Sequence, residues 1–145
     1  MDFFFRRAKG RVPAQVAGAA PAGAATTKQR GDAAETRALA HLEGAGLRLV
    51  QRNYRTPGRG GGEIDLIMRA ADGTLVFVEV RHRARASHGG AAASISATKR
   101  RRIIFAARHF LMHERSLPPC RFDVVVVEGD EAPRWLQAAF DAGGA

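Results

Sequence analysis

Two strongly apolar segments separated by a short turn constrain the fold of this chain most. Residues 63–69 and 74–82 are rich in β-branched and aromatic side chains, and residues 71–73 between them end in Gly73, which can adopt positive φ. The pattern predicts a β-hairpin. A three-residue loop makes the numbers of facing residues sum to 144, so that Asp65 lies opposite Glu79. A two-residue loop would place the two acids on opposite faces.

The two acids and a nearby cation indicate phosphodiester chemistry. Strand alternation divides the first segment into Ile64, Leu66 and Met68 on one face and Glu63, Asp65 and Ile67 on the other. Facing carboxylates repel, and their burial is costly unless a cation such as Mg²⁺ or Mn²⁺ lies between them. Arg81 shares the face of Glu79 and can stabilise charge on a metal-bound phosphate. The alternative is an exposed face with Arg81 in a salt bridge.

The remaining pattern predicts two helices around a sheet. The first follows Asp32, a candidate N-cap with Glu35 in capping-box position, and the second covers residues 96–114. Their apolar stripes are Ala34, Ala38 and Leu42, and Ile103, Ile104, Ala107 and Leu111. Residues 47–54 and 121–127 predict further strands. The order α-β-β-β-α-β predicts an α/β fold with a mixed β-sheet flanked by helices.

Composition divides the chain into three parts. Residues 1–30, rich in Gly, Ala and Pro with scattered arginines, predict a flexible basic tail. Residues 31–128 contain the pattern of a folded domain. Residues 129–145 form a C-terminal extension, in which Trp135, Leu136 and Phe140 predict a short closing helix.

The charge of the chain favours a polyanionic partner. Its 23 Lys and Arg against 14 Asp and Glu give a net charge of +9, which favours nucleic acid, whereas an arginine-rich proteome or an acidic protein partner are the alternatives. The candidate nucleic-acid contacts are Arg83, Arg85, Lys99, Arg100, Arg101 and Arg102. The last four could instead form a solvated helix face.

Cysteine content and hydropathy indicate in which cellular compartment the protein resides. The single cysteine, Cys120, excludes an internal disulfide and a zinc site built on paired thiolates. No apolar run approaches the roughly 18 residues of a membrane span. These features predict a protein of the reducing cytoplasm that does not enter a membrane.

Several segments resemble those of one protein family. They are Gly31–Glu35 (GDAAE), Gly62–Ile67 (GEIDLI), Val76–Arg81 (VFVEVR), Lys99 and Arg121–Val125 (RFDVV). In this order they resemble the YraN-like family UPF0102, which belongs to the restriction-endonuclease-like PD-(D/E)xK nuclease superfamily. The resemblance extends from about residue 31 to residue 127.

The resemblance implies a restriction-endonuclease-like core and a metal-dependent endonuclease acting on DNA, including branched DNA. It implies that Asp65 and Glu79 bind Mg²⁺ or Mn²⁺ and that Glu35 is an auxiliary acid. Arg81 stands where the superfamily usually has lysine, and arginine can orient phosphate but cannot act as a base. A nuclease fold that binds nucleic acid without cleaving it is therefore the alternative. A homodimer would suit junction-type DNA.

Overall fold

The structure, a computed structural model, describes residues 25–83 and 94–143, and its centre is a five-stranded β-sheet. In chain order its elements are α1 (Thr27–Gly44), β1 (Arg48–Arg55), β2 (Glu63–Arg69), β3 (Leu75–Arg83), α2 (Ala97–Leu111), β4 (Cys120–Glu128) and β5 (Arg134–Phe140). The strands lie in sequence order across the sheet. Neighbouring strands are antiparallel except β3 and β4, which are parallel. The predicted α/β fold with a mixed sheet is confirmed.

The β2–β3 hairpin has the predicted register. Its pairs extend from Leu66 and Val78 to Arg69 and Leu75, and the numbers in each pair sum to 144. Gly73 adopts a φ of 94° in the turn. Because a residue with a Cβ rarely adopts this conformation, glycine at this position favours the three-residue loop, and the loop sets the register.

Each face of the sheet packs against one helix. The predicted stripe of α1 is buried in a cluster that includes Leu66, Val78 and Val125. α2 packs on the opposite face, against a cluster that includes Phe77 and Val124. The residues that α2 buries are Ile103, Ala106, Ala107 and Phe110, whereas Ile104 and Leu111 of the predicted stripe are only partly buried. The central strands are thus covered on both faces, as their continuous apolar sequences require.

The first helix begins earlier than predicted. Thr26 Oγ1 accepts a hydrogen bond from Gln29 N at 3.0 Å, and Gln29 Oε1 accepts one from Thr26 N at 2.8 Å, which together form a capping box. The prediction that Asp32 caps the helix is wrong, because Asp32 and Glu35 both lie inside it. Residues 27–30 of the predicted tail are helical, and residues 1–24 lie outside the described residues.

The C-terminal segment is a strand, so the predicted closing helix is wrong. β5 pairs with β4, with Trp135 opposite Val125. The fully buried Asp123 of β4 accepts hydrogen bonds from Trp135 Nε1 at 2.8 Å and from Ala138 N at 2.9 Å. Ala138 has a φ of 51° beside an irregularity in the pairing. Pairing with a distant strand therefore overrides a spacing of apolar residues that would also suit a helix.

Candidate functional site

The paired part of the hairpin ends where its two acids lie. The β2–β3 pairs end with Leu66 and Val78, and Asp65 and Glu79 are the next residues in that register. Asp65 Oδ2 accepts a hydrogen bond from Val80 N at 2.8 Å. The Asp65 carboxylate thus accepts a hydrogen bond from a backbone N–H of β3 just beyond the last pair of the β2–β3 ladder. The structure brings the two acids together, as the predicted register requires.

Asp65 also marks a change of face along β2. Leu66 packs in the cluster on the α1 side, whereas Ile64 joins Ile67 in the cluster on the α2 side. The predicted alternation, which placed Ile64 on the face of Leu66, is wrong here. On β1, Asn53 lies between the partners of these two residues and has a φ of 51°. A left-handed residue thus interrupts the two-residue alternation of β1 at the position opposite Asp65, where the face of β2 also changes.

Burial dominates the electrostatics of the acid pair. Asp65 is 9% exposed and Glu79 is 6% exposed. Burial, followed by the charge of Asp65, raises the pKa of Glu79 to about 8. Burial also raises the pKa of Asp65, although the hydrogen bond from Val80 opposes this rise. Without a bound cation, Glu79 therefore retains its proton near neutral pH.

One oxygen of the acid pair is left without a hydrogen bond. Glu79 Oε1 is buried and has no hydrogen-bond partner among the described residues. A buried acceptor without a partner is costly, because it has lost water and gained nothing in exchange. An unsatisfied carboxylate oxygen at this position is therefore a candidate ligand for a cation.

Lys99 reaches the acid pair from α2. Its Nζ lies 3.6 Å from Glu79 Oε2, and its charge lowers the pKa of both acids, although burial outweighs it. Ser96 caps the helix by accepting a hydrogen bond from Lys99 N at 3.1 Å, which places the lysine in the first turn. Lys99 is one of the predicted nucleic-acid contacts. The sequence signal for the contact between Lys99 and Glu79 is the position of Lys99 in the first turn of a helix that packs on the same side of the sheet as Glu79.

Arg81 is near the acids but does not contact them as closely. It is half-buried on β3, and its charge lowers the pKa of Glu79 less than that of Lys99 does. Residues 25–83 and 94–143 contain no ion pair within 4.0 Å that includes Arg81. The cation in direct contact with Glu79 is therefore the lysine of the helix and not the arginine of the strand.

Glu35 approaches the acid pair from α1. Burial and then the charge of Asp65 raise its pKa, whereas Arg52 lowers it from an ion pair at 3.7 Å. Its Oε1 is buried and has no hydrogen-bond partner in the described part of the chain. Because the helix is capped upstream, Glu35 has no capping role, and its carboxylate lies between Arg52 and the charge of Asp65.

Comparison with known proteins assigns the family. Residues 34–127 match the model of the Uncharacterised protein family UPF0102. The chain belongs to family UPF0102. It is 76% identical to a UPF0102 protein of Albidiferax ferrireducens over 81% of this chain and 91% of the relative. A UPF0102 protein of Polaromonas naphthalenivorans is 63% identical over 98% of this chain and 99% of its own length. The sequence resemblance is thus confirmed at the level of this family.

Arg102 of this UPF0102 protein joins α2 to the loop before β2. Its Nε donates a hydrogen bond to Gly61 O at 3.2 Å. The next residue, Gly62, is buried, and a Cβ added there would lie 1.9 Å from Arg102 O. The two backbones approach so closely that only glycine fits. Arg102 therefore has a structural contact beside the acid pair in addition to any contact with a ligand.

The other predicted nucleic-acid contacts lie at the surface or outside the described residues. Arg100 and Arg101 donate hydrogen bonds to oxygens within residues 95–98. Arg83 is half-buried at the end of β3, and Arg85 is not among the described residues. The described residues include no helix that combines the length and the apolar character needed to cross a membrane.

The carboxylates of the acid pair fit a hard divalent cation that takes only some of its ligands from the protein. In residues 25–83 and 94–143, no group of three His, Cys, Asp or Glu side chains could hold a metal ion. Mg²⁺ is typically held by one or two carboxylates, with water and substrate phosphate completing the shell. Asp65 and Glu79, with the unsatisfied Glu79 Oε1, match that arrangement.

Proposed function

We propose that this UPF0102 protein is a metal-dependent endonuclease that hydrolyses phosphodiester bonds of DNA in the cytoplasm. The observation that carries the proposal is the buried, unsatisfied Oε1 of Glu79 beside Asp65. Two buried carboxyl groups that lie side by side with raised pKa values destabilise the fold. Groups with perturbed pKa values are characteristic of functional sites. A divalent cation, Mg²⁺ or Mn²⁺, would relieve their repulsion.

The fold supports a restriction-endonuclease-like core. The acids lie on an antiparallel hairpin, and α2 leads from that hairpin to β4, which is parallel to β3. The pairing between β2 and β3 ends just before the acids. Both carboxylates can then approach one ligand without breaking a pair of the sheet.

Each charged side chain of the site has a role in this proposal. Asp65 and Glu79 would hold the ion, which when bound polarises the phosphate and lowers the pKa of a water molecule. Lys99 would stabilise the negative charge that develops on the phosphate oxygens, while it also orients Glu79. Glu35 would act as an auxiliary acid that accepts a hydrogen bond from water. Arg81 would bind a flanking phosphate.

A nucleic-acid-binding module without cleavage is the second candidate. A guanidinium group is unsuited to act as a general base, so Arg81 cannot take that role. Lys99 Nζ lies 3.6 Å from Glu79 Oε2, so its position is that of a partner of the acid. This candidate predicts salt-sensitive DNA binding that persists when the acids are replaced, with no cleavage in the presence of either metal.

A cleavage assay with matched variants separates the two candidates. Single-stranded and branched DNA are incubated with Mg²⁺ or Mn²⁺ and the wild type, Asp65→Asn, Glu79→Gln or the control Glu63→Gln. Glu63 lies on the same strand but pairs with Arg55 at 3.8 Å. We expect cleavage by the wild type and the control, and a loss of about a hundredfold or more in the other two. Equal cleavage by the wild type and Asp65→Asn would overturn the proposal. Binding without cleavage by the wild type would favour the second candidate.

A further inference from the structure

A pocket on the outer face of α2 lies apart from the acid pair. Its volume is about 380 Å³, within the range of about 300–1,000 Å³ that holds small ligands. The side chains that give it its chemistry are Arg100, Arg101, Ile104, Phe105 and Arg108 of α2, with Asp141 after β5. The pocket is large enough for the base and sugar of one nucleotide.

The pocket combines an exposed aromatic ring with three guanidinium groups. Phe105 is 53% exposed and does not lie on the buried face of α2, which holds Ile103, Ala106, Ala107 and Phe110. No ion pair within the described ranges includes Arg100, Arg101 or Arg108. The acidic residue of the lining is Asp141. The charges therefore favour an anion, and the ring favours a flat apolar group.

A second cavity lies beside the pocket at the N-terminal end of α2, and the two together are called the groove. This cavity of about 200 Å³ shares Arg100 with the first and is also lined by Ile95 and Phe140. Lys99, which contacts Glu79, lies next to Arg100 in the first turn of the helix. A chain-like ligand in this groove would thus run along α2 toward the end of the helix that contacts the acid pair.

We propose that this groove binds a single-stranded segment of nucleic acid, with one base stacked on Phe105 and the flanking phosphates on Arg101 and Arg108. Arg108 lies seven positions after Arg101, which corresponds to about 10 Å along the helix axis. Phosphates on either side of a stacked base fall within the reach of such side chains. This inference rests on the proposed function and specifies its substrate as DNA with an unpaired segment.

The exposed ring decides against the other polyanions. In a duplex the bases stack on each other, so that none is available to cover Phe105, whereas unpaired bases stack readily on aromatic side chains. An acidic peptide would neutralise the arginines without requiring an aromatic surface. An anionic membrane would require a wide apolar face in place of one ring between cations.

Binding of a labelled single-stranded oligonucleotide, measured by fluorescence anisotropy of the whole chain in EDTA, tests the stacking. Phe105→Leu keeps the apolar bulk but removes the aromatic face, and we expect Kd to rise about fivefold or more, since stacking contributes about 1–3 kcal/mol per base. Phe105→Trp is expected to bind at least as tightly as the wild type. Met112→Leu is the matched control, because Met112 directly follows α2, is 75% exposed and lies outside the pocket.

The salt dependence of the same binding tests the arginines. Each phosphate contact on a single strand contributes a slope of about −0.7 to the plot of log K against log salt. Replacing both Arg101 and Arg108 with Gln should therefore make the slope shallower by about 1.4. Arg48→Gln, on the exposed edge strand β1, should leave the slope unchanged.

Three outcomes would overturn the inference. The first is equal affinity of Phe105→Leu and the wild type for the single strand. The second is that Phe105→Leu loses as much affinity for a blunt duplex as for the single strand. The third is that anionic vesicles or an acidic peptide bind in a way that depends on Phe105, while the oligonucleotide does not bind. Binding that depends on Phe105 but is never followed by cleavage with Mg²⁺ or Mn²⁺ would support the inference while the proposed function fails.

Discussion

Lys99 Nζ lies 3.6 Å from Glu79 Oε2, so that a helix supplies the cation that contacts the buried acid of the hairpin. Arg81, on the strand of Glu79, forms no such ion pair within the described residues. In the proposed nuclease, the lysine that reaches Glu79 therefore comes from α2 and not from the strand of the acid. The ammonium group of lysine is compact and fits a confined site, whereas the planar guanidinium group of arginine suits a phosphate of the nucleic acid that flanks the site.

Replacing Lys99 with Met should separate metal binding from cleavage. The loss of a positive charge beside the acids removes a competitor of the metal, so Mn²⁺ should bind at least as tightly, as measured by calorimetry. Cleavage should nevertheless slow by about tenfold or more, because the charge on the phosphate loses its counterion. Lys99→Arg should restore part of the rate. A Lys99→Met variant that cleaves as fast as the wild type would contradict the assigned role.

Replacing Asp123 with Ala should destabilise the fold without a direct effect on the acid pair. The fully buried carboxylate accepts hydrogen bonds from Trp135 and Ala138 and pairs with Arg121 at 3.0 Å, so that it joins β4 to β5. Loss of a buried, hydrogen-bonded charge typically costs about 3–5 kcal/mol. Urea denaturation should show a decrease of this size. Asp130→Asn, at an exposed turn, should change stability by less than about 0.5 kcal/mol and provides the control.

The hairpin and its register could be predicted because both depend on local sequence. A loop of three residues ending in Gly73 and a two-residue alternation of side chains together determine which residues face each other. The face change at Asp65 could not be read in this way. It accompanies the left-handed conformation of Asn53 on a neighbouring strand, which has no signal in the sequence of β2 itself.

The two errors in secondary structure have different origins. The capping box of Thr26 and Gln29 was visible in the sequence, but the later pair of Asp32 and Glu35 fits the same pattern. The strand at Trp135 was not visible locally, because its apolar residues are spaced as on a helix. Its pairing depends on Asp123, a buried acceptor on a distant part of the chain that strand formation satisfies.

Gly62→Ala should destabilise the protein through a backbone clash. The added Cβ would lie 1.9 Å from Arg102 O, so α2 or the loop before β2 must move. We expect a loss of about 1–3 kcal/mol in thermal or urea unfolding, since overpacking of this kind forces shifts of the backbone. The control is Gly31→Ala, where a Cβ has nothing within 4 Å and the residue is helical. That change should stabilise the helix by about 0.5–1 kcal/mol. Equal effects of the two substitutions would contradict the close contact.

The metal-free protein should lose stability as the pH rises. The folded chain holds the proton of Glu79 with a pKa of about 8, whereas the unfolded chain releases it near 4.5. The stabilising effect is therefore complete below pH 4.5 and is lost as the pH rises through about 8. The raised pKa values of Asp65 and Glu35 act in the same direction. Urea unfolding in EDTA should show a decrease in this window, to which Glu79 alone contributes up to about 1.4 kcal/mol per pH unit.

Glu79→Gln is the variant that isolates this effect and connects it to the metal. The amide does not titrate, so its stability should vary less between pH 5 and pH 8 than that of the wild type, and Glu63→Gln should behave as the wild type does. Mn²⁺ competes with the proton for Glu79, so it should raise the Tm of the wild type more at pH 8 than at pH 5. The Tm of Glu79→Gln should respond little to Mn²⁺ at either pH. An equal rise in both proteins would mean that the ion binds elsewhere.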